Sequence, residues 1–357
     1  MPCTAESSLL RLRRLLCIVM PMLRDGYNRL IKDVRISVTD RCNFRCTYCM
    51  PSDKYEWINK KEILRFEEIT RLARIFVQLG VEKIRLTGGE PLVRQNLELL
   101  VGELSQIPGL KDLCLTTNGS LLSEKIKGLQ KAGLRRINVS IDTLNPEKFE
   151  RITKRGDLDK VLEGLFAARS CGLGPIKINA VIERGVNDDD ILDLVKFSRE
   201  NGFSMRFIEY MDVGNTNSWT SEKLVSKKEI LEKIKARFPL REVGRENGSA
   251  PAVDYEFTDD RGEVGIVASV TEPFCATCNR ARLTADGKLV TCLFSSVGHD
   301  LKALLRGGST EQQISDFVAG IWMQRKDRYS AERLEALKSS TYDPKQRKKI
   351  EMITLGG

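Results

Sequence analysis

Only one histidine, His299, stands in a chain of 357 residues. An enzyme that relies on imidazole for general acid–base work would have almost nothing to use, and His299 itself reads as a surface loop residue. Aromatic residues are scarce, at 6% of the chain, and show no stacking motif, which argues against a non-catalytic RNA-binding protein. No apolar run is long enough to cross a bilayer. The glycine loop that cradles phosphates in P-loop nucleotidases is missing, as are internal repeats and low-complexity segments.

What is present in quantity is thiol and charge. Ten cysteines occur, six of them in two triplets, while Cys3, Cys17, Cys114 and Cys171 show no pairing pattern. A secreted disulfide framework is therefore not expected, and a reducing compartment is favoured. The formal charge of +9, from 58 basic against 49 acidic residues, suits an anionic small molecule or a nucleic acid and decides between neither.

The first triplet, Cys42, Cys46 and Cys49, has C-x3-C-x2-C spacing just after a β-prone run, Val34–Val38. Thiolate is the preferred ligand of iron in iron–sulfur cubanes. Three thiolates for four irons leave one iron open, as catalytic rather than structural metal sites do. Ordinary thiols and a zinc site are the other readings, although no fourth zinc ligand lies near Cys49. The second triplet is Cys275, Cys278 and Cys292, with the same arithmetic; zinc there would need His299 as fourth ligand. Arg280 and Arg282 sit between its members. If that stretch is extended, both point to one side and could fork onto phosphate or carboxylate.

The sequence predicts strands at 34–40, 82–88, 112–118, 136–142, 176–182 and 205–211, separated by amphipathic runs. One such run carries Phe66, Ile69, Leu72, Ala73 and Phe76 on one helical face. Strand–helix alternation implies a parallel sheet that curls into a partial, six-fold (β/α) barrel. Chemistry is then expected at the C-terminal strand ends, where Cys42, Gly88–Pro91, Thr116, Ser140 and Met211 fall. A polar, glycine-rich stretch at 244–251 suggests a boundary. The expected division is an N-terminal extension over 1–27, a barrel core over 28–243, a C-terminal α+β unit over 244–345 and a tail over 346–357. That last unit should hold short strands near 265–267 and 289–290 and helical sequence over 311–340. Residues 1–25 mix leucines with arginines; a plain extension, an amphipathic helix and an organellar transit peptide are the readings.

Taken together, the first triplet with Tyr48, the Lys83–Pro91 run, the second triplet with Arg280 and Arg282, and the terminal Gly356 and Gly357 resemble the MoaA family of GTP 3′,8-cyclases. These are radical S-adenosylmethionine (SAM) enzymes at the start of molybdenum cofactor biosynthesis. The resemblance covers the chain from about residue 28 to its end. It implies a radical SAM barrel, two [4Fe–4S] clusters and SAM as cofactors. It assigns SAM contacts to Tyr48, Gly88, Gly89, Glu90, Ser140 and Met211. It assigns GTP contacts to Arg35, Arg85, Thr116, Lys177, Arg206, Arg280 and Arg282, with Lys83 a weaker candidate. The second cluster's open iron is expected to meet guanine, and the Gly-Gly tail to reach into the site. The implied reaction joins the ribose 3′ carbon of GTP to C8 of its own guanine, and a cyclic pyranopterin monophosphate synthase (MoaC) takes the product. An unidentified electron donor, no nucleic acid partner, no membrane, a monomer or homodimer, and a cytoplasmic site (organellar matrix with a transit peptide) complete the implied picture. Another radical SAM enzyme with an auxiliary cluster, such as a peptide maturase, is the competing expectation.

Overall fold

The computed structural model describes residues 23–51 and 55–356. Cys3, Cys17, Gly357 and most of the leucine–arginine stretch lie outside the described residues.

Twelve strands form one sheet: β1 Asp33–Ser37, β2 Lys83–Thr87, β3 Asp112–Thr117, β4 Arg136–Ser140, β5 Ile176–Ile182, β6 Ser204–Glu209, β7 Leu240–Gly244, β8 Val253–Phe257, β9 Glu263–Val267, β10 Arg280–Leu283, β11 Lys288–Val290 and β12 His299–Asp300. Their order is β12-β11-β10-β1-β2-β3-β4-β5-β6-β9-β8-β7. From β10 through β6 to β9 every neighbour is parallel, and an antiparallel hairpin flanks each end. The sheet does not close, so this is the partial barrel that strand–helix alternation implies. The six expected barrel strands are present to within a few residues. β7, β8 and β10 were not foreseen; β7 and β10 are short and carry little periodicity, whereas Val253, Tyr255 and Phe257 of β8 alternate with Asp254 and Glu256 as a half-buried strand should. His299 lies not in a loop but in β12, opposite Leu289, and remains exposed.

Helices α1 Phe66–Gln78, α2 Leu97–Ser105, α3 Leu122–Lys131, α4 Pro146–Thr153, α5 Leu158–Ser170, α6 Ile191–Asn201 and α7 Lys227–Lys235 follow the barrel strands. Later come α8 Leu301–Arg306, α9 Glu311–Met323, α10 Tyr329–Lys338 and the short α11 Met352–Leu355. α1 buries Ile69, Leu72, Ala73, Ile75 and Phe76, one face of a 3.6-residue repeat. α7 begins with a capping box: Glu229 N–H donates to Ser226 Oγ, and Ser226 N–H to Glu229 at 2.9 Å. Burying these faces against Val34, Ile36, Ile84, Leu86, Leu115, Val139, Ile178 and Phe207 makes one continuous apolar layer. Each fully buried aliphatic side chain contributes about 1.5–3 kcal/mol. Among the described residues no helix is long and apolar enough to cross a membrane.

The other side of the pleat is polar. Register puts Arg282, Arg35 and Arg85 side by side on β10, β1 and β2. It also lines up Ser140, Asn179 and Arg206 on β4, β5 and β6. Side-chain alternation thus sends the apolar residues to the helices and the arginines into the barrel.

Candidate active site

The first triplet sits on the loop after β1. That loop is held by backbone from the next strand end: Gly89 N–H donates to Thr39 O at 2.7 Å and Glu90 N–H to Arg41 O at 2.8 Å. The approach demands glycine. A Cβ on Gly88 would lie 2.6 Å from Thr39 O, and one on Gly89 would collide with Arg41 O. Cys46 O accepts from Cys49 N–H at 3.1 Å, and Cys42 Sγ accepts from Phe44 N–H at 3.4 Å. Burial pushes the Cys42 thiol up to about 11 and Cys49 to about 12, and holds Cys46 well above its usual value. Thiols this resistant to ionisation become thiolates when a cation coordinates them, because a metal inverts the local proton balance.

Tyr48 O–H donates to Asp142 at 2.8 Å, and burial raises the Asp142 carboxyl to about 6. Glu90 is almost wholly buried, and its carboxylate already accepts from Leu92 N–H, Thr117 O–H and Asn118 N–H. Burial nevertheless carries it up to about 7 against those donors.

The second triplet lies beyond β9, on a turn at Cys275–Thr277, with Cys292 after β11. Arg280 Nη2 donates to Cys278 Sγ at 3.2 Å and Arg325 Nη2 to the same sulfur at 3.3 Å. Burial works to raise the Cys278 thiol, but the two guanidiniums outweigh it and bring it down to about 6. Cys292, by contrast, is pushed up to about 12 by burial and Asp327. Among the described residues no three His, Cys, Asp or Glu side chains converge as ligands of a single metal ion. A cubane spreads its thiolates over separate corners and needs a wider set than zinc does.

Both triplets face one cavity of about 280 Å³, near the lower end of the usual size of a small-molecule pocket. Its wall includes all six cysteines, Tyr48, Gly88, Gly89, Glu90, Ser140 and Met211, and also Arg35, Arg85, Thr116, Arg206, Arg280 and Arg282. Two expected residues are placed elsewhere. Lys177 is buried beside Arg206 with Glu263 3.8 Å away, and Lys83 pairs with Asp112 at 3.0 Å.

The Nε atoms of Arg35, Arg85 and Arg206 are buried without a hydrogen-bond partner, as is Asn179 Oδ1. Burial and the neighbouring Arg282, Arg85 and Arg280 hold the Arg35 guanidinium well below its ordinary value. Unpaired donors and crowded like charges in a buried wall are costly until an anion meets them. Gly356, at φ +70°, packs on Thr87 and Gly88, and its carbonyl accepts from Arg282 Nη1 at 2.7 Å.

Residues 36–198 match the Radical SAM superfamily, and residues 203–331 match Molybdenum Cofactor Synthesis C. A GTP 3′,8-cyclase of Acidothermus cellulolyticus is 48% identical over 86% of this chain and 88% of its own length. One of Staphylococcus haemolyticus is 44% identical over 95% of this chain and 100% of its own, and one of Aquifex aeolicus 45% identical over 94% and 100%. The chain belongs to the GTP 3′,8-cyclase family. Among solved structures, Streptococcus suis SuiB bound to S-adenosylmethionine superposes with a TM-score of 0.58 at 16% identity, over 86% of this chain and 69% of that one. That likeness shows a shared fold. The cyclase relatives favour the cyclase over a peptide maturase.

Several cavity residues carried no family signal in the sequence. Asn118 reaches toward Cys42 Sγ at 4.0 Å and donates to Asn43 at 2.9 Å; its position just after β3 was the available hint. Asp142 sits just past the end of β4 and could have been found by the same rule, whereas Asn179 is mid-strand in β5 and carried no such hint. Arg325, between α9 and α10, had no signal, since it lies in a stretch of ordinary surface charge.

Proposed function

We propose that this chain catalyses the cyclisation of GTP to (8S)-3′,8-cyclo-7,8-dihydroguanosine 5′-triphosphate, with one [4Fe–4S] cluster on each cysteine triplet and SAM at the first. The observation that carries the reading is the row of three guanidiniums, Arg282, Arg35 and Arg85, on adjacent strands in the wall of the one cavity that both thiol triplets line. The donor set fits the groups it would hold. Three half-buried thiols, with no fourth ligand converging on them among the described residues, suit a cubane with an open iron. Orphaned guanidinium N–H groups suit a polyanion.

When bound, clusters and SAM supply the radical chemistry, and the protein supplies position. Arg35, Arg85 and Arg206 hold the triphosphate through the donors that have no partner within the protein. Arg280 has one face on Cys278 and lies on the cavity wall, so it can clamp the same phosphates. Asn179 Oδ1 is a fixed acceptor for a donor on the nucleotide. Thr116 and Ser140 offer hydroxyls at neighbouring strand ends. Gly356 and Arg282 cover the barrel mouth and exclude water from a reactive carbon centre. Tyr48 is oriented by Asp142, and Glu90 keeps a carboxylate beside the first triplet. An external one-electron donor and a downstream synthase that consumes the cyclised triphosphate belong to the same proposal.

Oxygen-free protein loaded with iron and sulfide, then given dithionite, SAM and GTP, should release 5′-deoxyadenosine only with GTP present and accumulate the cyclised triphosphate. Deoxyadenosine release indifferent to GTP, with GTP recovered intact, would refute it.

A further inference from the structure

A second arginine sits at the distal cysteine set, and it differs from Arg280 in being almost fully buried. The Arg325 side chain is 1% exposed. Nη1 donates to Cys278 O at 2.8 Å and to Asp25 Oδ2 at 3.1 Å, Nη2 to Cys278 Sγ at 3.3 Å, and Nε to Thr291 O at 3.2 Å. Asp327 lies 3.3 Å from Nε, and the guanidinium stacks over Trp322 at 4.6 Å. Trp322 is itself pinned through its N–H to Arg29 O. Arg29 pairs with the same Asp25 at 2.6 Å and donates to Cys275 O at 2.6 Å. Four of the five N–H donors of Arg325 are therefore engaged within the protein. Its guanidinium is held by protein groups on nearly all sides, whereas Arg280, the other donor to the same sulfur, is only half-buried.

We propose that Arg325 is a positioning residue that sets the reduction potential of the second iron–sulfur centre through its hydrogen bond to the Cys278 sulfur. Arg280 is left to the substrate. The inference rests on the two-centre reading above. The physical reason is that a cluster becomes harder to reduce when hydrogen bonds to its sulfurs are removed, because the added electron's charge is spread over those sulfurs. A donor locked in a buried network keeps that bond whether or not substrate is present. Asp25 holds the guanidinium from behind, so the segment before β1 braces the distal centre instead of merely leading into the barrel.

The test is potentiometry of the anaerobically loaded holoprotein, read by electron paramagnetic resonance, with iron and sulfide measured on the same samples. Parent protein should show two potentials. Arg325→Gln removes the charged guanidinium and shortens the side chain away from the Cys278 sulfur, and Asp25 keeps Arg29 as partner. One potential should fall so that the reduced-to-oxidised ratio at the parent's midpoint drops about tenfold, which is about 59 mV for one electron. The other should stay. Full iron with both potentials unmoved overturns the proposal. Should Arg325→Gln lose iron, Arg325→Lys is measured: it retains charge against Asp25 but cannot fork to carbonyl and sulfur together. A lowered potential in that variant supports the assignment, and an unchanged one overturns it. Parent protein with a single potential would refute the two-centre reading itself, a failure visible before any variant is made.

Discussion

Asp212 follows the cavity residue Met211, and its carboxylate is the point to which the C-terminal segment is tied. Arg333 Nη1 and the Tyr342 hydroxyl donate to it, as do Lys349 Nζ at 2.5 Å and Tyr329 O–H at 2.7 Å. The Arg333 and Lys349 side chains are 0% and 1% exposed. Asp212→Asn would leave two buried cations without their counter-charge, a loss that costs about 3–5 kcal/mol. Beyond Lys349 the segment is held by Asn215 Nδ2 donating to Glu351 at 2.7 Å, by buried Ile353 and Leu355, and by Arg282 on Gly356. Released at Asp212, the segment's opening equilibrium should rise by a factor of about a hundred or more. Barrel strands β1–β5 make no contact with this carboxylate among the hydrogen bonds and ion pairs described. Hydrogen exchange of the loaded protein should therefore show lost protection over 341–356 and unchanged protection over 83–87, with slower cyclisation. Unaltered exchange in the tail would refute the reasoning, and so would a uniform loss across all peptides. The pH dependence has a definite sign. Burial would raise this carboxyl, but Arg333 and Lys349 outweigh it and hold it at about 2, below the ordinary value near 3.9. Its contribution is complete above about 3.9 and is lost as pH falls toward 2, so tail protection should not vary through it between pH 5 and 8.

Gly356→Ala would drive a Cβ into Thr87 at a φ of +70°, so the tail should unseat; turnover should fall while iron content and barrel exchange stay unchanged. Gly89→Ala meets Arg41 backbone and should cost about 1–3 kcal/mol, seen as lowered thermal stability and weaker iron retention at the first triplet. Arg280→Ala should lower product formation more than GTP-dependent SAM cleavage, and equal cyclisation rates would remove it from the phosphate clamp. Arg85→Met should raise the KM for GTP roughly tenfold to a hundredfold, the worth of one hydrogen bond to a charged group, measured against an unchanged SAM KM.

The six barrel strands were legible because each is an apolar, β-branched run followed by a helical repeat, and that alternation permits little besides a parallel sheet. The cysteine spacings were legible because ligands on tight loops must be close in sequence. β10 was half legible: Arg280 and Arg282 could share a side only if extended, and the strand supplies that extension, in parallel register with β1. β7 was not, since an edge strand of mixed polarity depends on its pairing partner, β8, for its conformation.

By itself, then, the sequence determined the parallel barrel, the two thiol triplets and which residues stand at strand ends, all being local or periodic properties. Only the tertiary structure decided that Arg282, Arg35 and Arg85 form one row, that Lys177 lies near Glu263, and that Asp25 braces Arg325 at Cys278. Those relations join residues as many as 300 positions apart. They follow from sheet register and burial, and neither leaves a trace in the spacing of residues along the chain.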